Sequence, residues 1–142
     1  MKSKPLNVLL VDDDEVDVMT VKRAFKKNNI SHQLITASNG VEALQILRDD
    51  PSFPNFPEAN RLILLDLNMP RMSGIEFLNE MRTDSELKPI PVIVLTTSNE
   101  DKDKVEAYNL NVAGYILKPV TFDKFVETVA TLNNYWTLNE LL

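Results

Sequence analysis

Cysteine is absent, which excludes disulfides, thiolate-bound zinc and thiol catalysis and is compatible with a reducing cytosol. Glycine is scarce, with three in the whole chain. None belongs to a Gly-rich loop that cradles phosphate, which argues against an ATP-binding enzyme. No apolar run is long enough for a signal peptide or a membrane span. After Lys2 and Lys4, the segment 6–11 stops at Asp12, Asp13 and Asp14. Clustered positive charge is missing as well. The net charge is −6, and Lys22, Arg23, Lys26 and Lys27 fall on one solvated helix face. Phosphate backbones require grouped Lys and Arg, so nucleic acid is disfavoured as a direct partner. A soluble cytoplasmic protein is the expectation.

What is present fits one domain over residues 1–142, a length that buries a core without staples and leaves none for a separate output domain. Short apolar runs rich in β-branched residues alternate with helical patterns. Asn7 to Val11 reads as a strand, followed by a helix with Val18, Val21 and Phe25 spaced by three and four. Asp13 or Asp14 can cap that helix, Asp14 being the better placed. Gln33 to Ala37 is a second strand and 39–48 a second helix. Arg61 to Asp66 is a third strand, near-continuously apolar as befits one covered on both faces. Residues 75–81 form a third helix, 91–96 a fourth strand, 101–110 a charged helix and 114–118 a fifth strand. The last helix runs from 121 to about 136, with Phe122, Phe125, Val126, Val129, Leu132 and Trp136 on one stripe. Five βα units predict an α/β fold: a doubly wound parallel sheet with helices on both faces.

In such a sheet, ligands sit outside the carboxyl ends of the strands. The notable polar residues fall at those ends: Asp12 and Asp13 after the first strand, Asp66 after the third, Thr96 after the fourth, Lys118 after the fifth. Each alone is an ordinary turn or cap; together they form a constellation. Three carboxylates brought to one point repel one another. A hard divalent cation relieves that repulsion, and Mg2+ suits oxygen ligands and retained waters. A main-chain carbonyl just past Asp66, that of Asn68, can complete the ligand set. Asp66 is then the candidate nucleophile for phosphoryl transfer, a reaction that needs alignment and charge neutralisation. Lys118 and the Thr96 hydroxyl are suited to phosphoryl oxygens.

These residues, in this order, resemble the receiver domain of two-component response regulators, over nearly the whole chain. The resemblance is carried by Leu9-Leu10-Val11-Asp12-Asp13, by Leu65-Asp66-Leu67-Asn68-Met69-Pro70 with Gly74 at the following turn, by Val94-Leu95-Thr96-Thr97-Ser98, and by Tyr115-Ile116-Leu117-Lys118-Pro119. It implies a flavodoxin-like sheet of strand order 2-1-3-4-5 flanked by five helices. It implies phosphorylation of Asp66 by a sensor histidine kinase or phosphotransfer protein, with Mg2+ on Asp12, Asp13, Asp66 and the Asn68 carbonyl. Thr96 and Tyr115 would form the switch, Asn68 and Ser98 would tune the phosphate lifetime, and the bond before Pro119 would be cis, an uncommon feature. Leu65 to Arg71, Thr96-Thr97-Ser98, the Pro-rich loop and Tyr135-Trp136 are further similar to small regulators that serve phytochrome-type kinases.

His32, the single histidine, leads into a strand pattern, so the chain reads as a phosphoryl acceptor and not a donor. The loop 49–60, with Pro51, Pro54, Pro57, Phe53 and Phe56, reads either as a packed surface loop or as a partner contact. The apolar excess beyond Leu132 admits a homodimer contact through the C-terminal helix or tail. With no output domain expected, the output would be protein contact, dimer change or onward relay. The rival reading is an enzyme. Asp12-Asp13-Asp14-Glu15-Val16 also fits the Asp-x-Asp-x-Val pattern of haloacid-dehalogenase-like phosphatases, with Asp12 as nucleophile. That reading lacks length for a cap and a late acidic motif, and it leaves the segment around Asp66 without a role.

Overall fold

The computed structural model describes residues 7–27, 33–69, 71–96, 103, 105–106, 110, 112–117, 123–124 and 127. The elements are β1 (Asn7–Val11), α1 (Glu15–Lys27), β2 (Gln33–Ala37), α2 (Gly40–Leu47), β3 (Arg61–Asp66), α3 (Gly74–Thr83), β4 (Val92–Thr96) and β5 (Gly114–Leu117). Asp103, Val105 and Glu106 are also helical, as are Asp123, Lys124 and Glu127, within the two later segments read as helices. The five strands are all parallel in the order β2-β1-β3-β4-β5. This is the doubly wound arrangement expected. No described helix is long and apolar enough to cross a membrane.

Small departures from the expected boundaries have local causes. Pro91 stands outside β4 because it has no N–H for the ladder, yet its carbonyl still accepts the Ile63 N–H at 3.0 Å. Asn39 is the N-cap of α2, its side chain accepting the Glu42 N–H at 2.9 Å. At the other end of α2, Asp49 takes the left-handed conformation with φ 59°. Its N–H donates to the Ile46 carbonyl at 3.2 Å and that of Asp50 to the Gln45 carbonyl at 3.0 Å, the paired bonds of a Schellman stop. Helix α3 starts one residue earlier than the periodicity suggests, because Ser73 caps it through the Glu76 N–H at 3.2 Å.

The central strands are buried on both faces, which is why they read as unbroken apolar runs. Leu9, Val11, Ile63, Leu65, Val92 and Val94 join Ala43, Leu44 and Leu47 of α2 and Phe77, Leu78 and Met81 of α3 in one cluster. The alternate set, Val8, Leu10, Leu62, Leu64, Ile93 and Leu95, is equally buried, as is Val21 of α1. Each such side chain contributes about 1.5–3 kcal/mol by leaving water. The loop 49–60 belongs to this core. Phe56 is 1% exposed and Phe53 packs against the cluster. Arg61 lies 4.8 Å over the Phe56 ring, and its guanidinium donates to the carbonyls of Pro57 (2.9 Å) and Phe56 (2.6 Å). At the far end of α3, Arg82 Nε donates to the Leu110 carbonyl at 2.6 Å, tying the helix to the approach to β5.

Candidate functional site

The chain leaves β1 for β2 on one side and later returns to place β3 on the other, so the strand order reverses between β1 and β3. A crevice opens at the carboxyl ends of strands that diverge in this way. The register pairs Val11 with Leu65, so the next residues, Asp12 and Asp66, emerge side by side. Both are nearly buried, at 3% and 4% exposure, while Asp13 is exposed. One carboxylate oxygen from each of Asp12, Asp13 and Asp66 lies within 4.8 Å of the others.

Local hydrogen bonds aim these groups. The Asp12 N–H donates to the Ala37 carbonyl at 3.0 Å, prolonging the β1–β2 ladder by one residue. Asp12 Oδ1 accepts the Asp14 N–H at 2.9 Å, turning the chain so that Asp13 faces outward. Asp14 Oδ1 accepts the Val16 N–H at 2.9 Å, so Asp14 is the residue that caps α1. On the other strand, Asp66 Oδ1 accepts the Asn68 N–H at 3.1 Å. The Gly74 N–H then donates to the Leu67 carbonyl at 3.0 Å, closing the loop against α3. The donor set is all oxygen and anionic, and ligands across a small hard cation stand about 4 Å apart. A divalent ion therefore fits these residues.

The remaining expected positions stand as follows. Thr96 ends β4, and with Asp66 paired to Leu95 its main chain lies one register step further along the same rim. Its side chain lies outside the described residues, as do Lys118, Pro119 with its cis bond, Ser98, His32 and the tail beyond residue 127. Tyr115 in β5 is half-buried against the core cluster. Burial pushes its phenol above the ordinary value of 10.0, and the Glu106 carboxylate adds to the effect. Two features were passed over in the sequence. Ser73 with Glu76 carries the spacing of a capping box, a readable signal. Arg71 takes a left-handed conformation with φ 69° in the segment between Asp66 and α3, and an arginine there gives no such signal.

Residues 8–130 match the response regulator receiver domain. The chain belongs to that family and is a response regulator of two-component signalling. It is similar to the response regulator Rcp1 of the cyanobacterium Synechocystis sp., with 36% identity over 93% of this chain and 89% of Rcp1. The phosphorylated cyanobacterial phytochrome response regulator RcpA superposes with a TM-score of 0.75 at 32% identity, covering 94% of this chain and 95% of that one. The Mn2+-bound form of Rcp1 superposes with a TM-score of 0.72 at 35% identity, covering 93% and 94%. The dehalogenase-like alternative has no support from these matches.

Proposed function

We propose that Asp66 is the phosphoacceptor and that Asp12, Asp13, Asp66 and the Asn68 carbonyl hold Mg2+ beside it. The observation that carries this reading is the convergence of three carboxylates within 4.8 Å at the point where the strand order reverses. A divalent ion supplies charge neutralisation for the incoming phosphoryl group. An Asp66 carboxylate oxygen attacks phosphorus, and the bond from phosphorus to the donor histidine nitrogen breaks. The imidazole takes up a proton, and an acyl phosphate remains on Asp66. Lys118 pairs with one phosphoryl oxygen and the Thr96 hydroxyl donates to another, drawing Tyr115 inward. Water later cleaves the acyl phosphate, so the chain acts as a timed switch and turns over no separate substrate.

The donor in this reading is a sensor histidine kinase or phosphotransfer protein, and the phytochrome-type regulators among the relatives favour a phytochrome-type kinase. The phosphorylated RcpA and the Mn2+-bound Rcp1 support, by likeness, both the modification and the cation. The setting is the cytoplasm and the output is contact with a downstream protein, by a single domain or by a dimer formed through the C-terminal helix. The test is incubation with Mg2+ and acetyl phosphate, followed by mass mapping of the modified aspartate. The expected result is one phosphoryl group on Asp66, lost in Asp66→Asn and on removal of Mg2+. Label on Asp12, or undiminished label in Asp66→Asn, would overturn the assignment.

A further inference from the structure

The three glycines of the chain differ in what a side chain would meet. A Cβ at Gly114 would enter open space, and one at Gly40 would touch Met72 Cγ and Sδ at 2.9 Å, atoms of a flexible side chain. A Cβ at Gly74 would lie 2.6 Å from Leu67 Cα, 2.7 Å from the Asp66 carbonyl oxygen and 2.7 Å from Leu67 Cδ2. Two of these three atoms are main chain, so no rotamer change relieves the overlap. None of the glycines has a positive φ. Gly74 is therefore required for space, not for backbone freedom.

We infer that Gly74 is a positioning residue for the acceptor loop: it lets the first turn of α3 seat against the peptide that joins Asp66 to Leu67. This inference rests on the reading of Asp66 as phosphoacceptor. The Gly74 N–H donates to the Leu67 carbonyl, and Asp66 Oδ1 holds the Asn68 N–H. The Asp66 carboxylate and the Asn68 main chain thus move as one piece with the start of α3. Carbon atoms pack at about 3.5–4.0 Å, so a methyl group at position 74 forces a displacement of about 1 Å. That shift changes where Asp66 stands relative to Asp12 and Asp13, which follow β1. A misplacement of about 1 Å at a reacting group costs on the order of 100-fold in rate.

The experiment compares Gly74→Ala with Gly40→Ala, Gly114→Ala and Phe77→Leu, the last a core change within α3 that lowers stability but adds no atom at position 74. Mn2+ affinity is read by electron paramagnetic resonance, and phosphorylation rate with acetyl phosphate at saturating metal. Gly74→Ala is expected to weaken Mn2+ binding about 10–100-fold and to slow phosphorylation on the order of 100-fold, while the other three keep the parent values. Should Gly74→Ala fail to fold, amide exchange of the parent decides. The Gly74 N–H is expected to gain protection on Mg2+ binding, while the Ala113 N–H, which donates to the Val92 carbonyl at 2.8 Å, is unchanged. A folded Gly74→Ala with parental affinity and rate, or a Gly74 amide indifferent to Mg2+, overturns the inference and leaves the phosphoacceptor reading intact. A parent that neither binds the ion nor accepts phosphate overturns both.

Discussion

Asp13→Asn isolates the electrostatic cost of the carboxylate triad. Asp13 is its exposed member, whereas Asp12 and Asp66 also accept main-chain N–H bonds that shape their loops. Like charges within 4.8 Å of one another repel by at least about 1 kcal/mol at the dielectric of water and about 3–4 kcal/mol at an effective dielectric of 20. Solvent around Asp13 favours the lower figure. Neutralising it removes two such repulsions, about 2 kcal/mol in all. In EDTA the variant should therefore be more stable than its parent by about 2 kcal/mol, roughly 5 °C in melting temperature for a domain of this size. With Mg2+ that advantage should shrink, and it reverses only if the ion adds less than about 0.7 kcal/mol to the variant. On the proposed assignment the parent should gain about 2.7 kcal/mol at an ion concentration 100 times its Kd, and the variant, lacking one proposed ligand, should gain less. Thermal unfolding by circular dichroism of both proteins, with EDTA and with Mg2+, gives the four values required. A variant no more stable than the parent in EDTA, or one that responds equally to Mg2+, would refute the reasoning.

Three further outcomes concern the scaffold. Phe56→Ala should cost about 3–5 kcal/mol by urea denaturation, as for other buried aromatics, because Phe56 is 1% exposed and stacked under Arg61; a loss below about 1 kcal/mol would mean the loop is peripheral. Asp49→Gly should raise stability by about 0.5–1 kcal/mol, since glycine takes the left-handed helix stop without the steric penalty of a Cβ; a lower urea midpoint would contradict this. The Ser38 N–H, followed by the Ser38 hydroxyl, holds the Glu42 carboxylate below its ordinary value of 4.5. That stabilisation is fully present above pH 4.5 and is lost as pH falls through the depressed value. Glu42→Gln should therefore flatten the acid limb of the stability profile between those limits, and an unchanged limb counts against the cap.

Much of the fold was legible because its signals are local. β1 and β3 announce themselves as apolar runs ended by aspartate, and Ser73 and Asn39 cap their helices through bonds spanning three residues. The role of Asp14 was readable in the same way, since a cap depends on its own helix alone. The loop 49–60 was not, because nothing in its proline-rich composition says that Phe56 reaches the core or that Arg61 would cover it. Gly74 was visible as a glycine after the motif around Asp66, but that a Cβ there would come within 2.6 Å of Leu67 Cα has no signature in the residue pattern.

By itself the chain's order of residues determined the kind of chemistry: which carboxylates, hydroxyl and ammonium stand at strand ends, and that they alternate with helices in five units. Periodicity and capping act within a few residues, so they are written along the chain. Only the tertiary structure decided how near the three carboxylates come. The distance between Asp12 and Asp66 is set by the parallel register that pairs Val11 with Leu65, and by the seating of α3 on the loop beyond Asp66. The register joins segments more than fifty residues apart, and the seating depends on how a helix packs back on the loop before it; in both, many side chains jointly select one arrangement.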